Sequence, residues 1–105
     1  MKMLYHPSIE QINLAAVLYA LSDSTRLDIV KNLAKSSEEC CCRGFDTLVA
    51  KSTMSHHFRV LRESGLIQVR LEGTQRFVSL RRDELDARFP GLLTAVLAAA
   101  DTIEP

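Results

Sequence analysis

Apolar residues recur at helical spacing in several stretches of the chain and alternate at strand spacing in one. From Ser8 to Leu21, Ile9, Ile12, Ala16 and Tyr19 make one stripe and Leu14, Leu18 and Leu21 another. The spacing predicts a helix, started by Pro7 and a capping box of Ser8 with Gln11. A helix apolar on two sides in a small domain has a second surface to cover, which points to a dimer contact at Leu14 and Leu18 or to a core helix in a monomer. Ser22-Asp23-Ser24-Thr25 interrupts it with capping residues. A second helix is expected through Lys35, with Leu27, Val30, Leu33 and Ala34 inward and Arg26 in a surface ion pair or phosphate contact.

Residues 36 to 50 are the least regular, with one short helix expected from Asp46. Regular spacing returns at Lys51: Met54, Phe58 and Leu61 fall at i, i+4 and i+7 of a helix over 51–64. Thr53, Ser55, His56, Arg59 and Arg62 lie away from that stripe, and His57 lies beside it, where packing or internal bonding is expected. Ser52 or Thr53 is placed to cap this helix, and Gly65 to end it in the left-handed conformation. Then Ile67, Val69 and Leu71 alternate with Gln68, Arg70 and Glu72, Gly73-Thr74 turns the chain, and Gln75 to Leu80 returns. Period and turn chemistry predict a β-hairpin over 66–80. Asp83 is placed to cap a turn running to Phe89. Pro90 is expected to start a last helix over 90–103, with Leu92, Leu93, Val96 and Leu97 on an apolar face and alanines that permit close approach of a second helix.

At 105 residues this is one domain, and its formal charge is zero, with 13 basic and 13 acidic residues. The distribution is not neutral. From Lys51 to Arg82, seven bases (Lys51, Arg59, Arg62, Arg70, Arg76, Arg81, Arg82) face Glu63 and Glu72, a net of +5, while the segment from Asp83 onward is acidic. The basic segment contains the 51–64 helix, whose outer face offers small hydroxyls, an imidazole and guanidinium groups. These side chains fit a DNA major groove and can bond base edges. Thr53, Ser55, His56 and Arg59 are assigned to the groove. Lys51, Ser52 and Arg62 are assigned to the DNA backbone, as are Arg70, Thr74, Gln75 and Arg76 of the hairpin.

An enzyme is not expected. His56 and His57 diverge on a helix, and the chain has no phosphate loop, nucleophile elbow or carboxylate pair with a pocket. Neither a secretory h-region nor a membrane-length apolar run is present, so a cytoplasmic protein without membrane contact is expected.

Three pieces of the chain together resemble the ArsR/SmtB family of bacterial winged-helix repressors. They are Ala20-Leu21-Ser22-Asp23-Ser24-Thr25-Arg26-Leu27, the run from Ser52 through His56-His57 to Gly65-Leu66-Ile67, and Arg70-Leu71-Glu72-Gly73-Thr74-Gln75-Arg76. The resemblance spans roughly residues 12 to 100. It implies a mainly α fold with a two-stranded β-wing, a winged helix-turn-helix. It also implies a homodimer built from the first helix (1–21) and the last (90–103), binding double-stranded operator DNA until an inducer is sensed. Leu14, Leu18, Leu92, Leu93, Val96 and Leu97 would form the dimer contact. The last helix has Asp101 and Glu104 but no histidine, so the family's zinc or cadmium site on that helix is not expected.

The arsenic-sensing members of that family carry a Cys-x-Cys pair before the recognition helix. Cys40 and Cys42 have that spacing, with Cys41 between them. The resemblance therefore implies that As(III), Sb(III) or another thiophilic metal binds at Cys40, Cys41 and Cys42. Redox or electrophile sensing is the alternative, since Arg43 favours thiolate while Glu38 and Glu39 oppose it. A structural role as small buried hydrophobes, and a winged-helix module that binds only protein, are the others.

Overall fold

The computed structural model describes residues 4–35, 40–41 and 51–103. A 3-10 turn (Ile9–Gln11) leads into α1 (Leu14–Leu21) and α2 (Ser24–Lys35), followed by a two-residue strand β1 (Cys40–Cys41). Helix α3 (Lys51–Ser64), the hairpin β2 (Ile67–Glu72) and β3 (Gln75–Leu80), and helices α4 (Arg82–Arg88) and α5 (Leu92–Ile103) complete the chain. The helix expected from Asp46 falls outside the described residues.

The first predicted helix is broken in two. Ile12 is extended (φ −70°, ψ 123°), and the Asn13 side chain accepts from the Ala16 N–H at 2.8 Å to cap α1. Asparagine is a strong N-cap, so the chain restarts its helix there. The break turns Ile12 into the core, 1% exposed, while Val17, Ala20 and Leu21 form the buried side of α1. Leu14, Leu18 and Tyr19 stay on the outside.

Helix α2 is capped by Asp23, whose Oδ2 accepts the Arg26 N–H at 3.1 Å. That backbone hydrogen bond, ahead of the nearby Arg26 charge, holds the Asp23 carboxyl below the ordinary carboxylate value. Arg26 is not on the surface as expected. It is 5% exposed and donates from Nε to the Ala20 carbonyl (2.8 Å), from Nη2 to the Tyr19 carbonyl (3.4 Å) and from Nη1 to His57 Nδ1 (3.1 Å). Two of these acceptors are carbonyls in the last turn of α1, the end of a helix that attracts a cation. One guanidinium thus joins α1, α2 and α3. His57, 8% exposed, bonds internally, and because arginine can only donate, its Nδ1 is the acceptor.

Ser52 and Thr53 do not cap α3, which already includes Lys51. At its other end Gly65 has φ +92°. Its N–H bonds the Arg62 carbonyl (3.1 Å), and the Leu66 N–H bonds that of Leu61 (3.0 Å). This is the paired closure that requires a left-handed residue after the helix. Leu61, Leu66 and Ile67 are fully buried beneath it.

The hairpin register runs from Ile67↔Leu80 to Glu72↔Gln75, leaving Gly73-Thr74 as a two-residue turn. Val69 and Val78 pair on the core side, but Leu71 at 43% exposure extends past the body of the domain. The sheet has three strands rather than two. Cys40 pairs with Val78 and Cys41 with Phe77, in the order β1-β3-β2.

The expected turn after Asp83 is helix α4, led in by Arg81 rather than capped by Asp83. Leu85 buries its side chain to 2% exposure and anchors it. Acidic Asp83 and Glu84 in the first turn suit the helix N-terminus. Helix α5 begins at Leu92 rather than Pro90, because Gly91 adopts φ +83° between them. Its Leu93 is 2% exposed inside its own chain, so it has no surface left for a second copy and is removed from the expected dimer contact. Leu92, Val96 and Leu97 are half-buried against the same core.

Candidate nucleic-acid interface

Helix α3 and the hairpin lie side by side and enclose an open cleft of about 320 Å³. Ser52, Ser55, His56, Arg59 and Arg62 of α3 line one wall and Arg76 of β3 another; Phe58, Val69 and Val78 form an apolar floor, and Leu4 lines the remaining side. Five α3 residues assigned to DNA are thus brought together with one base of the hairpin. Thr53 is exposed outside the cleft, as are Thr74 and Gln75 at the hairpin turn. The Lys51 side chain lies outside the described residues.

Strand alternation separates the two hairpin arginines. Arg76 pairs with Leu71 and shares the side of Val78 that faces α3. Arg70 pairs with Phe77 on the opposite side, its guanidinium 4.7 Å from the Phe77 ring centroid, and forms an ion pair with Glu72. The two bases were expected to act alike, and they face different ways.

Sequence reasoning missed the amino-terminal arm. The Tyr5 carbonyl accepts from Arg62 Nη1 (2.8 Å), and that of Pro7 accepts from Arg81 Nη1 (2.9 Å). The His6 ring bridges the Leu4 carbonyl (3.1 Å at Nδ1) and the Val69 N–H (3.0 Å at Nε2). Arg81 is itself fixed by Glu84 through bonds of 2.9 and 2.7 Å, which keep the Glu84 carboxyl below its ordinary value. These contacts join residues 57 to 74 positions apart, a distance that no local periodicity reports.

Burial, opposed by the Leu4 carbonyl and aided by Arg62 and Arg81, lowers the His6 pKa. Nε2 accepts from Val69, which a protonated ring cannot do, so the fold binds the neutral form. The unfolded chain takes up this proton first as pH falls. The His6 contribution to stability is therefore complete above the ordinary value of about 6.5 and is lost as pH falls through the lowered one. Urea unfolding at pH 7.5 and 5.5 should show a smaller acid loss in His6→Gln than in the unaltered protein; equal losses would place the acid sensitivity elsewhere.

The backbone of Cys40 and Cys41 lies along β3, whereas Cys42 and the side chains of all three cysteines fall outside the described residues. Among the described residues no group of three or more His, Cys, Asp or Glu converges to hold a metal. No helix among them is long and apolar enough to cross a membrane.

A helix presenting hydroxyl, imidazole and guanidinium groups beside a basic hairpin, on a mainly helical body, defines a winged-helix DNA-binding regulator. The chain belongs to the arsR family of bacterial regulatory proteins, whose model matches residues 23–69. It is 40% identical over 81 residues to the uncharacterized HTH-type transcriptional regulator YceK of Bacillus subtilis, covering 75% of this chain and 81% of that one. It is 32% identical over 74 residues to an arsenical resistance operon repressor of Staphylococcus aureus, covering 70% of each. The crystal structure of the transcriptional repressor BigR from Xylella fastidiosa shares the fold, with TM-score 0.65, 24% identity, and coverage of 87% of this chain and 86% of that one. The family consists of DNA-binding transcriptional regulators, not enzymes.

Proposed function

We propose that the chain is a homodimeric repressor that reads operator DNA with α3 and the β2–β3 wing and leaves it when a thiophilic metalloid binds Cys40, Cys41 and Cys42. The observation that carries the DNA half is the shared cleft, where Ser52, Ser55, His56 and Arg59 of the helix meet Arg76 of the wing. Helix α3 enters the major groove, with Ser55, His56 and Arg59 toward base edges, and the wing meets the backbone beside it.

Dimerisation is supported by Leu14 and Leu18, 44% and 46% exposed on α1, and by the exposed alanines Ala95 and Ala98 of α5. Paired leucines this open on a helix favour a covering partner. The half-buried Leu92, Val96 and Leu97 line the rest of that contact.

Sensing is supported by the similarity to a repressor named for arsenical resistance, and by the place of β1. Its backbone is paired with β3, so a ligand drawing three thiolates together pulls on the wing. The test is gel-shift binding to a duplex that the protein has selected from a random-sequence pool. Arsenite should release the DNA, with Cys40→Ser or Cys42→Ser raising the required concentration at least about tenfold, a loss of roughly 1.4 kcal/mol. Release by diamide that dithiothreitol reverses, with no arsenite effect, would instead identify a thiol redox repressor.

A further inference from the structure

The cleft has a third wall that belongs to neither the helix nor the wing. Leu4 lines it, and the arm that carries Leu4 is fixed on both sides: the Tyr5 carbonyl to Arg62 of α3 at 2.8 Å, and His6 Nε2 to the Val69 N–H of β2 at 3.0 Å. The lining is mixed, with Leu4, Phe58, Val69 and Val78 apolar and Arg59 and Arg76 cationic above them. Base edges do not require such a mixture. A deoxyribose–phosphate strand does, since its sugars are apolar on one face and each phosphate is anionic.

Geometry places that strand here. If α3 occupies a major groove and the wing reaches the neighbouring minor groove, the strand dividing the two grooves has to pass between helix and wing. Arg62 has one guanidinium arm committed to the Tyr5 carbonyl and is only partly exposed, whereas Arg76 is exposed on the cleft side of β3.

We propose that the amino-terminal arm is part of the DNA interface, with Leu4 walling the cleft that holds the deoxyribose–phosphate strand and Arg62 acting as the positioning residue that holds the arm there. Arg76 is the phosphate contact in this cleft. Arg70, on the opposite side of the hairpin, is not. The inference rests on the DNA-binding reading above and deepens it.

The test uses the full chain and a duplex it has selected from a random pool, with affinity measured across a salt series and hydroxyl-radical cleavage reading the exposure of each deoxyribose. Arg76→Gln should weaken binding at least about tenfold and reduce the salt slope by about 1.8, the loss of one phosphate contact of about 0.9 from each subunit of the dimer. Arg70→Gln should change the slope by less than half as much. Arg62→Gln should weaken binding with little change of slope, yet restore cleavage at the sugars the arm covers. Leu4→Ala, which leaves every named hydrogen bond in place, should restore cleavage at the same sugars. The proposal is overturned if Arg62→Gln lowers the slope as far as Arg76→Gln does, or if Leu4→Ala leaves the footprint unchanged. Failure of the unaltered protein to bind any duplex in a salt-dependent way would instead overturn the DNA-binding reading.

Discussion

Gly65→Ala is expected to lower the unfolding free energy by about 3 kcal/mol, adding left-handed backbone strain of roughly 1–2 kcal/mol to overpacking of similar size. Gly65 has φ +92°, and a Cβ built there lies 2.6 Å from Ile12 Cγ1 and 2.8 Å from its Cδ1. Ile12 cannot swing aside, because it is 1% exposed and its carbonyl is held by Arg88 Nε at 3.1 Å. The same glycine closes α3 and directs the chain into β2, so strain there falls on the junction of helix and wing. Urea denaturation measures the loss. Ile12→Val in the Gly65→Ala background should recover part of it, whereas in the unaltered protein it removes only packing. A Gly65→Ala protein within 0.5 kcal/mol of the original, a margin typical of uninvolved surface positions, would mean the junction is looser than described.

Arg26→Leu should cost about 3 kcal/mol, because it leaves the Ala20 carbonyl and His57 Nδ1 without their donor in a buried setting. For a domain of this size that corresponds to a fall in melting temperature of at least about 12 °C, taking 4 °C per kcal/mol. Stability alone would not show that the residue couples helices. A double-mutant cycle with His57→Ala does, since neighbours sharing a bond interact by roughly 0.5–3 kcal/mol while independent sites add. The double variant should lose less than the sum of the single losses. Strict additivity would mean that the 3.1 Å contact holds nothing between α2 and α3.

These two residues also show what could be read without a structure. Gly65 was legible as a helix terminator, because a glycine directly after an i, i+4, i+7 stripe is a local signal. The hairpin was legible for the same reason, with its period of two and Gly-Thr turn. Its clash with Ile12 was not legible, since that contact crosses 53 positions of sequence and depends on a break in the first helix. Arg26 was misread as a surface base because charge alone predicts exposure, and only the fold brings the last-turn carbonyls of α1 to it. Leu93 was also misread as surface, as an apolar stripe does not say whether its chain or a copy covers it. Strand β1 gave no signal, because two residues cannot display a period.

The interface was legible on the α3 side and only half so on the wing. Ser55, His56, Arg59 and Arg62 shared a helical face by spacing and share the cleft, while Ser52 takes the place there expected of Thr53. Arg70 and Arg76 were taken together, although six positions within a hairpin place them on opposite sides once the register is fixed. The arm was assigned to the dimerisation segment 1–21 and not to this interface. Leu4 and His6 gain their meaning from β2 and α3, more than 45 residues away.

The central claim, that α3 and the wing read DNA, is tested most directly by the salt dependence of binding to the selected duplex, with and without Arg59→Ala. The account predicts a log–log slope of roughly −4 or steeper from several phosphate contacts per dimer. It also predicts that Arg59→Ala costs about 1–3 kcal/mol and narrows the gap between selected and random duplexes, as loss of a base contact should. A nearly salt-independent affinity, or an Arg59→Ala protein that binds the selected duplex as tightly as the original, would contradict it.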